Sequence, residues 1–252
     1  MTRSIPQRGC VPRMSRDFPA AEGYARPMRS RLLTGTFLLL LAACGGSAPD
    51  ATTPGRADAG DPVAQYHLAL RHFTGSGAQK DLARAAELYL ASAEQGFSPA
   101  QVNLGAMYYA GIGVPRDRVE SAKWFALAAD QDLAEGQANL GVQLLSGDGA
   151  EKDLARAAEL FRKAGLQGHE QAQENLGLMH LNGDGVEKDT IGAYPGLRVA
   201  AASGSPSATK TAGEIEDILS PADLERGLER ARAIAAQIRP RGMGNPPNAQ
   251  ED

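Results

Sequence analysis

The chain has 252 residues, 42% hydrophobic and 22% charged, with a formal net charge of -4. That balance fits a soluble globular protein, and a mean hydropathy of -0.31 excludes a polytopic membrane protein. Two cysteines cannot build a disulfide-stapled scaffold or a four-thiolate zinc site, and the acidic balance argues against nucleic acid as partner.

Residues 1–27 carry Pro6, Pro12, Pro19 and Pro27 among five arginines, with no apolar period. They read as a disordered leader or as an over-extended start, with Met28 the initiator. From Met28 the pattern changes. Arg29 and Arg31 precede an apolar run from Leu32 to Ala43. As a helix, that run spans about 18 Å, against a hydrocarbon core of roughly 30 Å. It is too short to cross comfortably and reads as a secretory signal over 28–43. Leu41, Ala42, Ala43 and Cys44 resemble the lipobox of bacterial lipoproteins. The resemblance implies cleavage before Cys44 and lipid attachment there. The alternative is an uncleaved anchor followed by a buried cysteine. Two or more acyl chains give stable anchoring, at ~0.8 kcal/mol per buried methylene. Gly45 stands where an Asp marks retention in the inner membrane of such lipoproteins. The resemblance therefore implies an outer-membrane, periplasm-facing location.

Residues 44–60 read as the lipidated cysteine and a flexible tether, because Gly, Ala, Pro, Ser and Thr dominate and nothing large can be buried. Fully extended, the tether reaches at most ~55 Å.

Self-comparison exposes a 36-residue period, with four ungapped blocks over 61–204. Leu68, Leu104, Leu140 and Leu176 coincide, followed by Ala69, Gly105, Gly141 and Gly177. Paired glycines recur at 75 and 77, 111 and 113, 147 and 149, 183 and 185. Asp81, Asp117, Asp153 and Asp189 come four residues after each pair. Ala100, Leu104, Met107 and Tyr108 have helical spacing and predict a first helix, helix A. A glycine inside it costs ~1 kcal/mol against Ala, so close approach of a neighbouring helix must offset it. The paired glycines end helix A, and the Asp caps a second helix, helix B. In the second block Asp117 and Glu120 have capping-box spacing. Each block predicts a helix–turn–helix hairpin. Stacked hairpins make an all-α fold, an α-solenoid of four repeats.

The second block carries the fullest family likeness: Ala100, Leu104, Gly105, Tyr108, Gly111, Gly113, Val114, Asp117, Ala122, Trp124, Ala128 and Ala129. It resembles the Sel1-like repeat, a relative of the tetratricopeptide repeat. The fourth block departs, with Pro195 and Gly196 where the second has Lys123 and Trp124. Proline inside a helix removes a hydrogen bond and clashes with the preceding turn, at about 3 kcal/mol. A late start or a kink is expected for that helix B.

Beyond Gly204, residues 205–239 read as C-terminal capping helices. Ala208, Ala212, Ile215 and Leu219 share one face over 206–219. Ser220 and Pro221 start a second helix running to about Ile238. Residues 240–252 hold three prolines and no period, and read as a disordered tail.

No catalytic set emerges. Cys10 would leave with the leader and Cys44 would be lipidated. His72 and His180 share a repeat position, and His67 corresponds to Asn103, Asn139 and Asn175. They are spread along the array, so neither a metal site nor a cofactor is expected. The glycine pairs lack a following Gly-Lys-Ser/Thr and do not make a phosphate loop. The chain is therefore expected to be no enzyme but a membrane-tethered scaffold, binding another envelope protein or a peptide. Helix-A contacts would come from Gln101, Tyr109, Gln137, Gln143 and Gln173. The alternatives are an enzyme acting on cell wall or β-lactams and a regulator of envelope stress or signalling. The enzymatic family members carry regularly spaced cysteines, which this chain lacks. Removing residues 1–43 takes away seven arginines and two acids, so the remainder carries -9.

Overall fold

The computed structural model describes residues 53–238. Cys10, the signal segment, Cys44 and the tail from 239 onward lie outside the described residues. The described chain is all helical. The eight helices of the repeats are α2 Pro62–Thr74, α3 Leu82–Glu94, α4 Ser98–Ala110, α5 Arg118–Asp130, α6 Ala134–Ser146, α7 Leu154–Leu166, α8 Glu170–Asn182 and α9 Thr190–Ala202. Each has 13 residues. A short α1, Thr53–Asp58, precedes them, and α10 Pro206–Glu216 and α11 Pro221–Gln237 follow.

Helices A (α2, α4, α6, α8) and helices B (α3, α5, α7, α9) pair within each repeat, and each B packs on the next A. The signals that end and start them act locally. Gly75, Gly111, Gly147 and Gly183 take the left-handed conformation, and each donates its N–H to the carbonyl four residues back at 2.8–2.9 Å. The second glycine of each pair serves a different end. Any Cβ on Gly113 would collide with the Leu82 carbonyl, and one on Gly149 with that of Arg118. The turns of the second, third and fourth repeats thus lie flat on the start of the preceding helix B, whereas Gly77 of the first faces the Arg71 side chain.

Asp81, Asp117 and Asp153 cap their helices, accepting from Arg84, Glu120 and Arg156 N–H at 2.9 Å. The expected reciprocal half of the capping box is not made, because Glu120 pairs with Lys123 at 2.8 Å instead. The mid-helix glycines pack as their spacing implies. A Cβ on Gly105 would stand 2.8 Å from the Phe125 ring, and one on Gly141 2.8 Å from Phe161. Phe125 and Phe161 are fully buried, as are Leu104 and Met107. Burying such a side chain contributes roughly 1.5–3 kcal/mol.

Two expectations change here. Residues 53–58, within the stretch read as tether, form α1. Ala57 and Gly60 stand in register with Ala93 and Gly96, so α1 supplies the last turns of a helix B ahead of the first repeat. Ala57 is buried, and its carbonyl accepts from Gln65 at 3.4 Å. The second change is in α9, which starts at Thr190, on the same 36-residue register as the other helices B. Pro195 does not delay it. The ring is buried instead, and α11 packs on α9 beside α10 without extended contact to α10. Tyr194, 1% exposed, meets Gly227 of α11, where a Cβ would stand 2.8 Å from the ring. The exposed side of α10 is polar (Ser207, Thr209, Lys210, Glu214), as the end of a stack requires.

Candidate interaction surface

Helix A is pressed from two sides, by its own helix B and by the helix B before it. A side chain at the position of Gln101 therefore enters the seam between repeats. Gln101, Gln137, Gln143 and Gln173 are at most 4% exposed. The expectation that they present themselves on the open side of helix A is thus corrected by their burial. Gln101 donates to the Ala93 carbonyl at 3.1 Å, and Gln173 to that of Gly165 at 2.8 Å. Gln143 reaches the Arg118 carbonyl and the Ser121 hydroxyl at 3.3 Å.

These amides form a ladder. The glutamine ending α3, α5 and α7 donates to the glutamine of its own helix A, thirty residues earlier, while α9 ends on Ser203. Gln95 bonds Gln65 at 2.8 Å, Gln131 bonds Gln101 at 2.8 Å and Gln167 bonds Gln137 at 3.0 Å. Stripping a buried amide of its partners costs about 1–3 kcal/mol. The ladder therefore sets how hairpins sit on one another. The signal was present in the sequence, as two glutamine positions recurring at a fixed offset.

Tyr109 is the candidate that remains at the surface, half-buried at the end of α4. Its hydroxyl meets Asp148 of the next repeat's turn at 3.4 Å. The Arg118 guanidinium lies 3.6 Å from the ring centroid and also pairs with Asp148. Burial pushes the Tyr109 phenol up from its ordinary value, while the Arg116 charge opposes the shift. The ring is thus held in one place by two repeats. Phe73, Leu145 and Leu181 occupy the same position on α2, α6 and α8. Phe73 and Leu181 are half-buried, and Leu145 is 8% exposed. An apolar row with one clamped tyrosine follows the edge where the turns stack. Aromatic and Arg side chains held this way are the residue types that dominate binding energy at interfaces.

Three of the four histidines have structural work. His72 Nδ1 lies 3.0 Å from the Gln79 carbonyl and His180 Nδ1 lies 3.3 Å from that of Glu187, each bracing a turn. His169 caps α8, accepting from Ala172 N–H at 3.3 Å. Among the described residues no three His, Cys, Asp or Glu side chains are grouped to hold a metal ion. Among the same residues no helix is long and apolar enough to cross a membrane.

Stacked two-helix repeats locked by a seam ladder define a helical-hairpin solenoid. Residues 62–97, 98–133, 134–169 and 170–194 match the Sel1 repeat, and the chain belongs to the Sel1 repeat family. It is similar to the crystal structure of a protective antigen from uropathogenic Escherichia coli strains displaying an SLR fold. The identity is 34%, the TM-score 0.64, and the match covers 74% of this chain and 38% of that one. It is also similar to a Sel1 repeat protein from Oxalobacter formigenes, at 30% identity and a TM-score of 0.61, covering 72% of this chain and 76% of that one. The chain thus spans about two fifths of the first relative's length and three quarters of the second's. No curated protein matches. Fold and family are those of an interaction scaffold and not of a known enzyme fold.

Proposed function

We propose that the protein is a scaffold tethered to the bacterial outer membrane through lipid on Cys44, facing the periplasm. It binds a peptide or a segment of another envelope protein along the turn edge. The observation that carries the binding reading is the clamped Tyr109 within the row of Phe73, Leu145 and Leu181. Anchored rings lose little freedom when a partner covers them, which favours binding. The lipid reading is supported by Leu41, Ala42, Ala43 and Cys44 behind an apolar run, and the outer-membrane reading by Gly45.

A photo-crosslinking residue at position 109 of the full-length protein tests the binding reading in cells. The expected result is one recurrent adduct that is lost when the same probe sits at Lys210, on the polar face of α10. Adducts of equal yield at both positions would overturn it. Metabolic labelling with a fatty acid tests the anchor. Label should enter the wild-type chain and be lost in Cys44→Ser.

A further inference from the structure

Comparing the junctions between repeats, position by position, singles out one. Between α5 and α7 lies an open surface cavity of about 280 Å³, lined by Asp130, Asp132, Gln137, Arg156, Glu159 and Lys163, with Ala129 and Leu160; its five charged residues are all exposed. One repeat earlier, the corresponding positions hold Glu94, Gly96, Gln101, Glu120, Lys123 and Leu127, with Ala93 and Trp124. One repeat later they hold Leu166, Gly168, Gln173, Gly192, Pro195 and Val199, with Gly165 and Gly196. The earlier junction carries an indole where the cavity has Leu160. The later one carries no charge at all. Only the middle junction has two cations and three acids around an open space.

Asp132 adds a second departure. It is the sole described non-glycine residue with positive φ, at 61°. Its counterparts Gly60, Gly96, Gly168 and Gly204 take the same conformation without a side chain in the way. A Cβ there is disfavoured, by roughly 1–2 kcal/mol for L residues in general and less for Asp. The carboxylate so placed is held by Gln137, 1% exposed, whose amide donates to it at 2.8 Å. The partner of Gln101 and Gln173 at this point is a backbone carbonyl, so the fold itself does not require a carboxylate. Opposite stands Arg156. Its backbone N–H is taken by the Asp153 cap, but its guanidinium makes no ion pair with another described residue. Lys163 is already paired with Glu159 at 3.1 Å.

We propose that this cavity binds a small zwitterion, with an ammonium received by Asp132 and Asp130 and a carboxylate received by Arg156. The chemical class is a free amino acid or a very short peptide. Ligand pockets usually begin at roughly 300 Å³, so an occupant of this cavity has to be small. Arg binds carboxylate through two parallel N–H bonds, which sets orientation as well as charge. The site lies on the helix-B side and is separate from the row containing Tyr109.

Titration calorimetry on the full-length chain in detergent tests the proposal, with glycylglycine and L-glutamate as probes and acetate and methylammonium as singly charged controls. The expected result is saturable binding of at least one zwitterion, about tenfold tighter than either control. Tighter glycylglycine assigns a peptide, and tighter glutamate a free amino acid. Three variants borrow residues from the earlier junction, so the fold accepts them: Asp132→Gly, Arg156→Glu and Leu160→Trp. Each should weaken binding about tenfold or more, and Asp132→Gly should leave the melting temperature equal or higher. No saturable binding of either zwitterion, equal binding of the controls, or unchanged affinity in Asp132→Gly and Leu160→Trp would overturn it. None of these readouts depends on the partner sought at Tyr109.

Discussion

α5 and α9 occupy the same place in the second and fourth hairpins and share length and register, yet they face different neighbours. α5 turns Lys123 outward, paired with Glu120, and leaves Val119 and Leu127 partly exposed at 57% and 46%. α9 puts Tyr194, Pro195 and Gly196 on the corresponding side and buries it under α11. The 36-residue pattern therefore specifies the hairpin, and departures from it specify what lies on the hairpin. Pro195 costs α9 the bond its N–H would have made to Ile191, and packing against α11 offsets that loss.

The largest expected effect comes from removing α11. A chain ending after Leu219 exposes Tyr194 and Pro195, and the fourth repeat should lose protection first, because solenoids are stabilised by nearest neighbours. Hydrogen exchange should rise across α8 and α9 and stay unchanged in α2 to α5. Uniform loss through all repeats would break the comparison. Next is Gly227→Leu, which drives a side chain into the Tyr194 ring and should cost roughly 1–3 kcal/mol in urea unfolding. Gly213→Ala in α10 is its counterpart. Nothing lies within 4 Å of a Cβ there, so the change should stabilise by about 0.5–1 kcal/mol.

Tyr194→Phe sharpens the comparison further. The hydroxyl donates to Glu216 at 2.6 Å, and its loss should cost about 1 kcal/mol. Burial, then the Glu216 hydrogen bond and charge, push this phenol up to about 12 from 10.0. The folded state thus holds the proton that the unfolded state gives up. The contribution is complete below pH 10 and declines as pH rises toward 12. The difference in stability between wild type and Tyr194→Phe should shrink across that window.

The smallest effect concerns Asp223 at the start of α11. The Ser220 hydroxyl donates to it at 2.7 Å and, with Arg226, holds its carboxyl below the ordinary 3.8. A lowered carboxylate stabilises above the unfolded value and loses that contribution as pH falls through the folded one. Asp223→Asn should therefore match wild type at strongly acid pH and trail it slightly at neutral pH, by helix-selective melting of α11.

The hairpins could be read from the sequence because their signals are local. A glycine that must turn left and an aspartate that must cap act within one or two turns of themselves. The seam was harder. Gln101 on a helical wheel looks like surface, and it is buried between the helix B of the preceding repeat and the end of its own. α1 escaped for a related reason, since a six-residue helix has no period of its own and is revealed by Ala57 and Gly60 in the register of the repeat. Tyr109 stood out as an aromatic, but its clamp comes from a turn 39 residues away. Asp132 departs from Gly96, Gly168 and Gly204 in the sequence itself, but what that departure costs depends on the left-handed backbone at those positions.

The glutamine ladder bears on how such a chain can change length. Every rung joins residues thirty apart, and the helix starts of the repeats recur at 36. Excising one whole repeat would bring a new helix A to the same carbonyls and rejoin the ladder. Excising one residue fewer would leave buried amides facing the wrong carbonyls. Descendants of this gene can therefore lengthen or shorten by recombination in whole hairpins, and a frame of 36 codons is the natural unit of such exchange.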